Sequence, residues 1–112
     1  MEIIKTIPVF FYKEESDNEP VREWLLELSH DDRKIIGRDI RIIQMDWPIG
    51  YPLVSPLGNG LWEIRSRLDN RISRVLFVFH DGSIVLLHGF IKKTQKTPKN
   101  DLVLAIKRAK KL

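Results

Sequence analysis

Glu63, Arg65, Arg74, Lys92 and Lys93 are of types, and at spacings, suited to holding and cleaving a phosphodiester. Arginine offers a planar fork that matches two phosphate oxygens, and lysine a compact, mobile charge. A phosphodiester approaching its pentacoordinate transition state gains negative charge, which fixed cations in a water-poor groove stabilise most strongly. RNA supplies its own nucleophile, the 2′-hydroxyl, so its cleavage needs positioning, a proton acceptor and a proton donor, but neither a metal nor a protein nucleophile. Glu63 could be the acceptor, or it could pair with Arg65 or Arg67 as a surface carboxylate. Lys92, Lys93 or an arginine would then neutralise the leaving group. Arg67, Arg71 and Lys96 extend the basic set along a bound RNA. Tyr51 and Phe90 are either core residues or platforms for an unpaired base.

Other chemistries find less support. The chain has no cysteine, which excludes a disulfide scaffold, a thiolate zinc site and a cysteine nucleophile. His30, His80 and His88 are isolated and form no metal motif, and no glycine-rich phosphate loop or serine elbow is present. No metal and no cofactor is expected. His88 could act as a general acid, but within Val85-Leu86-Leu87-His88-Gly89-Phe90 it also fits a hydrogen-bonded structural residue.

The charge is uneven. Residues 1–56 carry a net −4 and residues 57–112 a net +8, which together give the chain's +4. A basic half of this kind suggests a surface for a polyanion. At 112 residues, 43% hydrophobic and 30% charged, the chain is expected to fold as one domain over residues 1–112. No apolar run approaches the roughly 20 residues of a membrane-spanning helix, and Lys5 breaks the short apolar stretch before Pro8 that a signal peptide would need. A cytoplasmic protein without a membrane partner is expected.

The elements that must position these residues are legible in outline. Ile3 to Tyr12 reads as a strand with a bend at Pro8, followed by a polar loop. Pro20 suits a first helical turn, and Val21, Trp24, Leu25 and Leu28 recur with helical spacing. Ser29 followed by Asp32 resembles a capping box, after which Ile36, Ile40, Ile43 and Trp47 mark a second helix to about Asp46. The proline and glycine density from Trp47 to Gly60 predicts a long loop. Leu61–Leu68, Ile72–Phe79 and Ser83–Ile91 read as three strands joined by short turns, hence antiparallel hairpins. In the first, Trp62, Ile64 and Leu68 face one way and Glu63, Arg65 and Arg67 the other; in the second, Val75, Phe77 and Phe79 oppose Arg74. Thr97-Pro98 reads as a cap and first turn of a last helix with Leu102, Ile106 and Ala109 on one face. The expected fold is α+β, order β-α-α-β-β-β-α, with a mostly antiparallel sheet of about four strands, two N-terminal helices and a C-terminal helix.

Three segments together carry a family resemblance: Gly60-Leu61-Trp62-Glu63-Ile64-Arg65, Arg74-Val75-Leu76-Phe77, and His88-Gly89-Phe90-Ile91-Lys92-Lys93-Thr94-Gln95-Lys96-Thr97-Pro98, with a helix ending Ala105-Ile106-Lys107-Arg108-Ala109. This pattern resembles the RelE/HigB/ParE superfamily of toxins, especially its phage-derived killer-protein-like branch, over nearly the whole chain. The resemblance implies the toxin of a type II toxin–antitoxin system. It further implies a metal-independent endoribonuclease that cuts messenger RNA on the ribosome by 2′-hydroxyl attack, leaving a 2′,3′-cyclic phosphate. It implies a cognate antitoxin of helix-turn-helix or acidic type. Arg65 and Arg74 match the family's phosphate and transition-state contacts, with Arg67, Lys92, Lys93 and Lys96 following. Lys92-Lys93 stand where better-known RelE-like members carry a tyrosine or histidine, and lysines serve as bases only with strongly depressed pKa values. Two other functions share the resemblance: a ParE-like poison of DNA gyrase, and a degenerate module that binds antitoxin or nucleic acid and cuts nothing.

Overall fold

Pro20 and Ser29 start two consecutive helices, and both do so as their chemistry requires. In the computed structural model, which describes residues 6–92 and 96–112, α1 spans Pro20–Glu27 with its proline in the first turn, where a missing N–H costs nothing. Extended backbone at Leu28 ends it. Ser29 then caps α2, His30–Asp46, by accepting a hydrogen bond from the Asp32 N–H at 3.2 Å. The Asp32 carboxylate does not close a capping box; it turns to Arg71, 2.7 Å away.

Among the described residues, five strands form one sheet in the order β1-β5-β4-β3-β2. They are β1 (Val9–Phe11), β2 (Val54–Gly58), β3 (Leu61–Arg67), β4 (Ile72–His80) and β5 (Ser83–Lys92), with α3 (Lys99–Ala109) closing the chain order. Two expectations are corrected. The sheet is mixed, because β1 runs parallel to β5, and the order is β-α-α-β-β-β-β-α. The added strand, β2, lies in the stretch that proline and glycine density marked as loop. Asn59-Gly60 joins it to β3 with positive φ at both residues (55° and 78°), the signature of a two-residue hairpin turn. Asp81-Gly82 makes the same turn between β4 and β5, with φ of 50° and 75°. Of the first predicted strand Val9–Phe11 forms β1, with Pro8 and Tyr12 continuing its backbone hydrogen bonds to β5, and residues 3–5 lie outside the described residues.

The two sheet faces bury separate cores. Val21, Leu25, Ile36, Ile40 and Ile43 of α1 and α2 pack with Ile64, Val75, Phe77 and Leu86. Ala105 of α3 packs with Leu61, Leu76, Val78, Val85 and Leu87 on the other face. The alternation read for β3 and β4 holds: Ile64, Leu68, Val75 and Phe77 lie on the α1/α2 side. Trp47, Trp62, Phe77 and Phe79 meet edge-on and tilted within this region, with centroids 4.8–6.0 Å apart. Phe77 is core, as its position predicted; Trp47 and Trp62 are half-buried against it, and Phe79, also expected in the core, is exposed.

A bulge breaks the alternation in β5. Leu76 pairs with His88 and Phe77 with Leu86, so Leu87 is an extra residue. Leu87 and His88 therefore both face α3, and Gly89 faces α1. There the Trp24 ring lies so close that a Cβ on Gly89 would stand 2.4 Å from Cε3 and Cζ3. Replacing Gly89 by Ala is expected to destabilise the protein by about 1–3 kcal/mol through overpacking, measured as a lowered denaturant midpoint at unchanged slope.

Candidate functional site

Strand alternation places Glu63 and Arg65 of β3 on the α3 side of the sheet, and the register sets Arg65 directly opposite Arg74 of β4. Two arginines opposed in this way repel. Glu63 resolves the conflict: its Oε1 accepts a hydrogen bond from Arg74 Nη1 at 2.6 Å and lies 4.0 Å from Arg65 Nε. Glu63 is 1% exposed and Arg74 3%, so this is a buried ion pair. The second carboxylate oxygen, Oε2, accepts from the Thr97 hydroxyl at 2.5 Å. Thr97 was expected to cap α3. The N-cap is instead Pro98, without a side-chain hydrogen bond, and the Thr97 side chain is spent on Glu63.

The bulge brings β5 into the same cluster. His88, Phe90 and Lys92 pair with Leu76, Arg74 and Ile72 in turn. His88 Nε2 lies 2.6 Å from Asp101 Oδ1 on the first turn of α3, the hydrogen-bonded structural role its sequence position allowed. Phe90 is half-buried and stacked on His88, with centroids 5.4 Å apart, so its ring is committed to the protein. Lys92 is 7% exposed, and its Nζ has no hydrogen-bond partner among the described residues. Its pKa is lowered from 10.5, first by burial and next by the Arg74 charge, with Glu63 and Asp101 opposing.

The predicted site residues thus separate into groups. Glu63, Arg65, Arg74 and Lys92 converge. Glu63 is not a surface carboxylate paired with Arg67, because the partner that holds it is Arg74. Arg67 is exposed at the end of β3. Arg71 binds Asp32 and ties the β3–β4 turn to the start of α2, a structural role that takes it out of the cluster. Lys96 is exposed just before α3, and Lys93 lies outside the described residues. Tyr51 is 76% exposed, and the Arg65 guanidinium stands over its ring, 5.6 Å from the centroid. Asp101 joins the site without having been singled out, and Thr97 joins it in a role other than the cap read for it. The sequence signal for Thr97 was its place at the helix start, which named the right element and the wrong partner.

Chemically, the cluster gathers three cations around one fixed carboxylate in a poorly hydrated setting. Such a group can receive an anion and stabilise charge that develops on it. Among the described residues, no helix is long and apolar enough to cross a membrane. Comparison with protein families finds that the model described as phage derived protein Gp49-like (DUF891) matches residues 23–110. This span includes every residue of the cluster. No curated protein matches the chain.

Replacing Glu63 by Gln leaves the buried cations without their counter-charge and is expected to cost about 3 kcal/mol of stability, read by chemical denaturation. Lys92 carries a pH signature of the opposite kind. Because its pKa is lower in the folded than in the unfolded chain, the unfolded chain binds the extra proton as pH rises from the folded value towards 10.5. Stability should therefore increase with pH through that window. Lys92→Met should flatten this rise and be more stable than the wild type at neutral pH, as thermal melts across the pH range will show.

Proposed function

The chain belongs to the Gp49-like family of phage-derived proteins, and from this footing we propose that it is the toxin of a type II toxin–antitoxin pair, an endoribonuclease that cuts messenger RNA on the ribosome. The observation that carries this reading is the convergence of Arg65, Arg74 and Lys92 on Glu63 at one end of the sheet. The family's association with toxin–antitoxin toxins supports it, as does the resemblance of the Trp62-Glu63-Ile64-Arg65 and Arg74-Val75-Leu76-Phe77 segments to the RelE/HigB superfamily.

The roles follow from burial. Arg65, whose side chain is one-fifth exposed, is the cation open to a phosphate oxygen. Glu63 and Arg74 are the most buried of the cluster and form its ion pair, with Glu63 also 4.0 Å from Arg65. The 2′-hydroxyl gives its proton to a solvent water as the O2′–P bond forms, the P–O5′ bond breaks with a proton delivered to O5′, and a 2′,3′-cyclic phosphate and a 5′-hydroxyl remain. Lys92 is fitted to protonate the departing 5′ oxygen, because a lowered pKa makes its ammonium a better acid. Its Nζ is covered, so this role requires that end of the sheet to open locally as RNA enters. Glu63, bonded on both oxygens, anchors the cations and is not the base. A cognate antitoxin, acidic or of helix-turn-helix type, completes the pair in the cytoplasm.

Induced expression of wild type, Arg65→Ala and Lys92→Met in cells, with 5′-end mapping of transcripts and a growth readout, tests this. Arg74→Ala is unsuitable because it strands the Glu63 carboxylate. Wild type should arrest growth and create new 5′ ends inside translated reading frames, and each variant should lose roughly 100-fold in cutting while remaining folded by circular dichroism. Arrest without new ends would indicate a gyrase poison of the ParE kind, and no arrest a binding module.

A further inference from the structure

Arg65 also faces a cavity that the cleavage chemistry does not use. It has a volume of about 270 Å³ and lies between α2, the turn before β2 and the end of β3, lined by Arg38, Asp39, Tyr51, Leu53, Arg65 and Arg67. The turn is pinned to β3 by the Arg65 N–H, which donates to the Leu53 carbonyl at 2.7 Å. The volume falls just below the roughly 300 Å³ at which small-molecule pockets begin, which suits one nucleotide unit better than a larger ligand.

Its lining matches that unit part by part. Tyr51 presents an aromatic ring to solvent, with the Arg65 guanidinium beside it. Arg38 and Arg67 are exposed cations at the rim. Asp39 is 4% exposed, and its Oδ1 accepts from Arg38 at 3.3 Å. The other oxygen, Oδ2, takes no hydrogen bond from a described residue. That oxygen is not among the sealed polar atoms without a partner, so it reaches water, which a ligand's donor can replace.

We propose that this cavity binds one unpaired RNA nucleotide adjacent to the scissile phosphate, with its base stacked on Tyr51, its flanking phosphates on Arg38 and Arg67, and its amine recognised by Asp39. The proposal rests on the RNA-cleaving reading above and adds to it a base preference. Arg65 connects the two places, since one side chain lies 4.0 Å from Glu63 and also over Tyr51. Adenine, guanine and cytosine each carry an exocyclic amine that can donate to a carboxylate, and uracil carries none. Asp39 therefore favours the first three over uracil.

The test is an NMR titration of the full chain with AMP, GMP, CMP and UMP separately, repeated on Tyr51→Ala and Asp39→Asn. The three amine-bearing nucleotides should bind at least about fivefold more tightly than UMP, with shifts at Arg38, Asp39 and Tyr51. Tyr51→Ala should weaken all four roughly tenfold, and Asp39→Asn should narrow the difference from UMP, an amide oxygen being a weaker acceptor than a carboxylate. Equal binding of all four nucleotides, or shifts confined to other residues, would overturn the proposal. Should Asp39→Asn fail to fold, the wild-type ranking and Tyr51→Ala, a change at an exposed residue, decide the matter alone. Mapped cuts without nucleotide binding would remove the subsite and leave the nuclease reading intact; nucleotide binding without cuts would do the reverse.

Discussion

A single buried carboxylate makes the cationic end of this protein possible. Antiparallel pairing sets Arg65 against Arg74, and the β5 bulge adds Lys92 nearby. Left to themselves these charges would repel in a medium that screens them poorly. Glu63 offsets the repulsion from within the same sheet face, and Thr97 satisfies its remaining oxygen from the start of α3. The strand register and the docking of α3 therefore meet at one side chain. Lys92 is left with a covered ammonium and a lowered pKa, the cost of burying a third cation beside Arg74.

The bulge at Leu87 is the second device on which the arrangement depends. Without the extra residue, His88, Phe90 and Lys92 would point to the α1/α2 core, and Gly89 would face α3. With it, His88 reaches Asp101, and Trp24 packs over the bare Gly89 backbone. Arg108 of α3 donates to the Leu87 carbonyl at 2.7 Å, satisfying a backbone group at the irregularity. One arginine of the basic C-terminal half thus serves the fold, as Arg71 does through Asp32. The positive charge of that half is divided between structural ties and the cluster around Glu63.

Local pattern in the sequence determined a good deal. Proline at the start of α1, serine before α2, apolar stripes along both helices, alternation in β3 and β4 and the Asp81-Gly82 turn each depend on residues within a few positions of one another, and each appears in the structure. The same alternation put Glu63, Arg65 and Arg74 on one face. Asn59-Gly60 carried an equally local hairpin signal, but the surrounding prolines and glycines masked it, and β2 went unread.

What only the tertiary structure decided involves partners far apart in the chain. The pairing of β1 beside β5, the placement of α3 opposite α1 and α2, the division of Thr97 from its helix and the closure of Arg71 on Asp32, 39 positions away, leave no mark in short-range periodicity. An inserted residue in β5 reversed the facing of everything beyond it, which no count of alternating side chains could foresee. Residue types named the chemistry available. Sheet register, one bulge and the burial of Glu63 decided which of those residues stand together, because charges are matched through space and not along the chain.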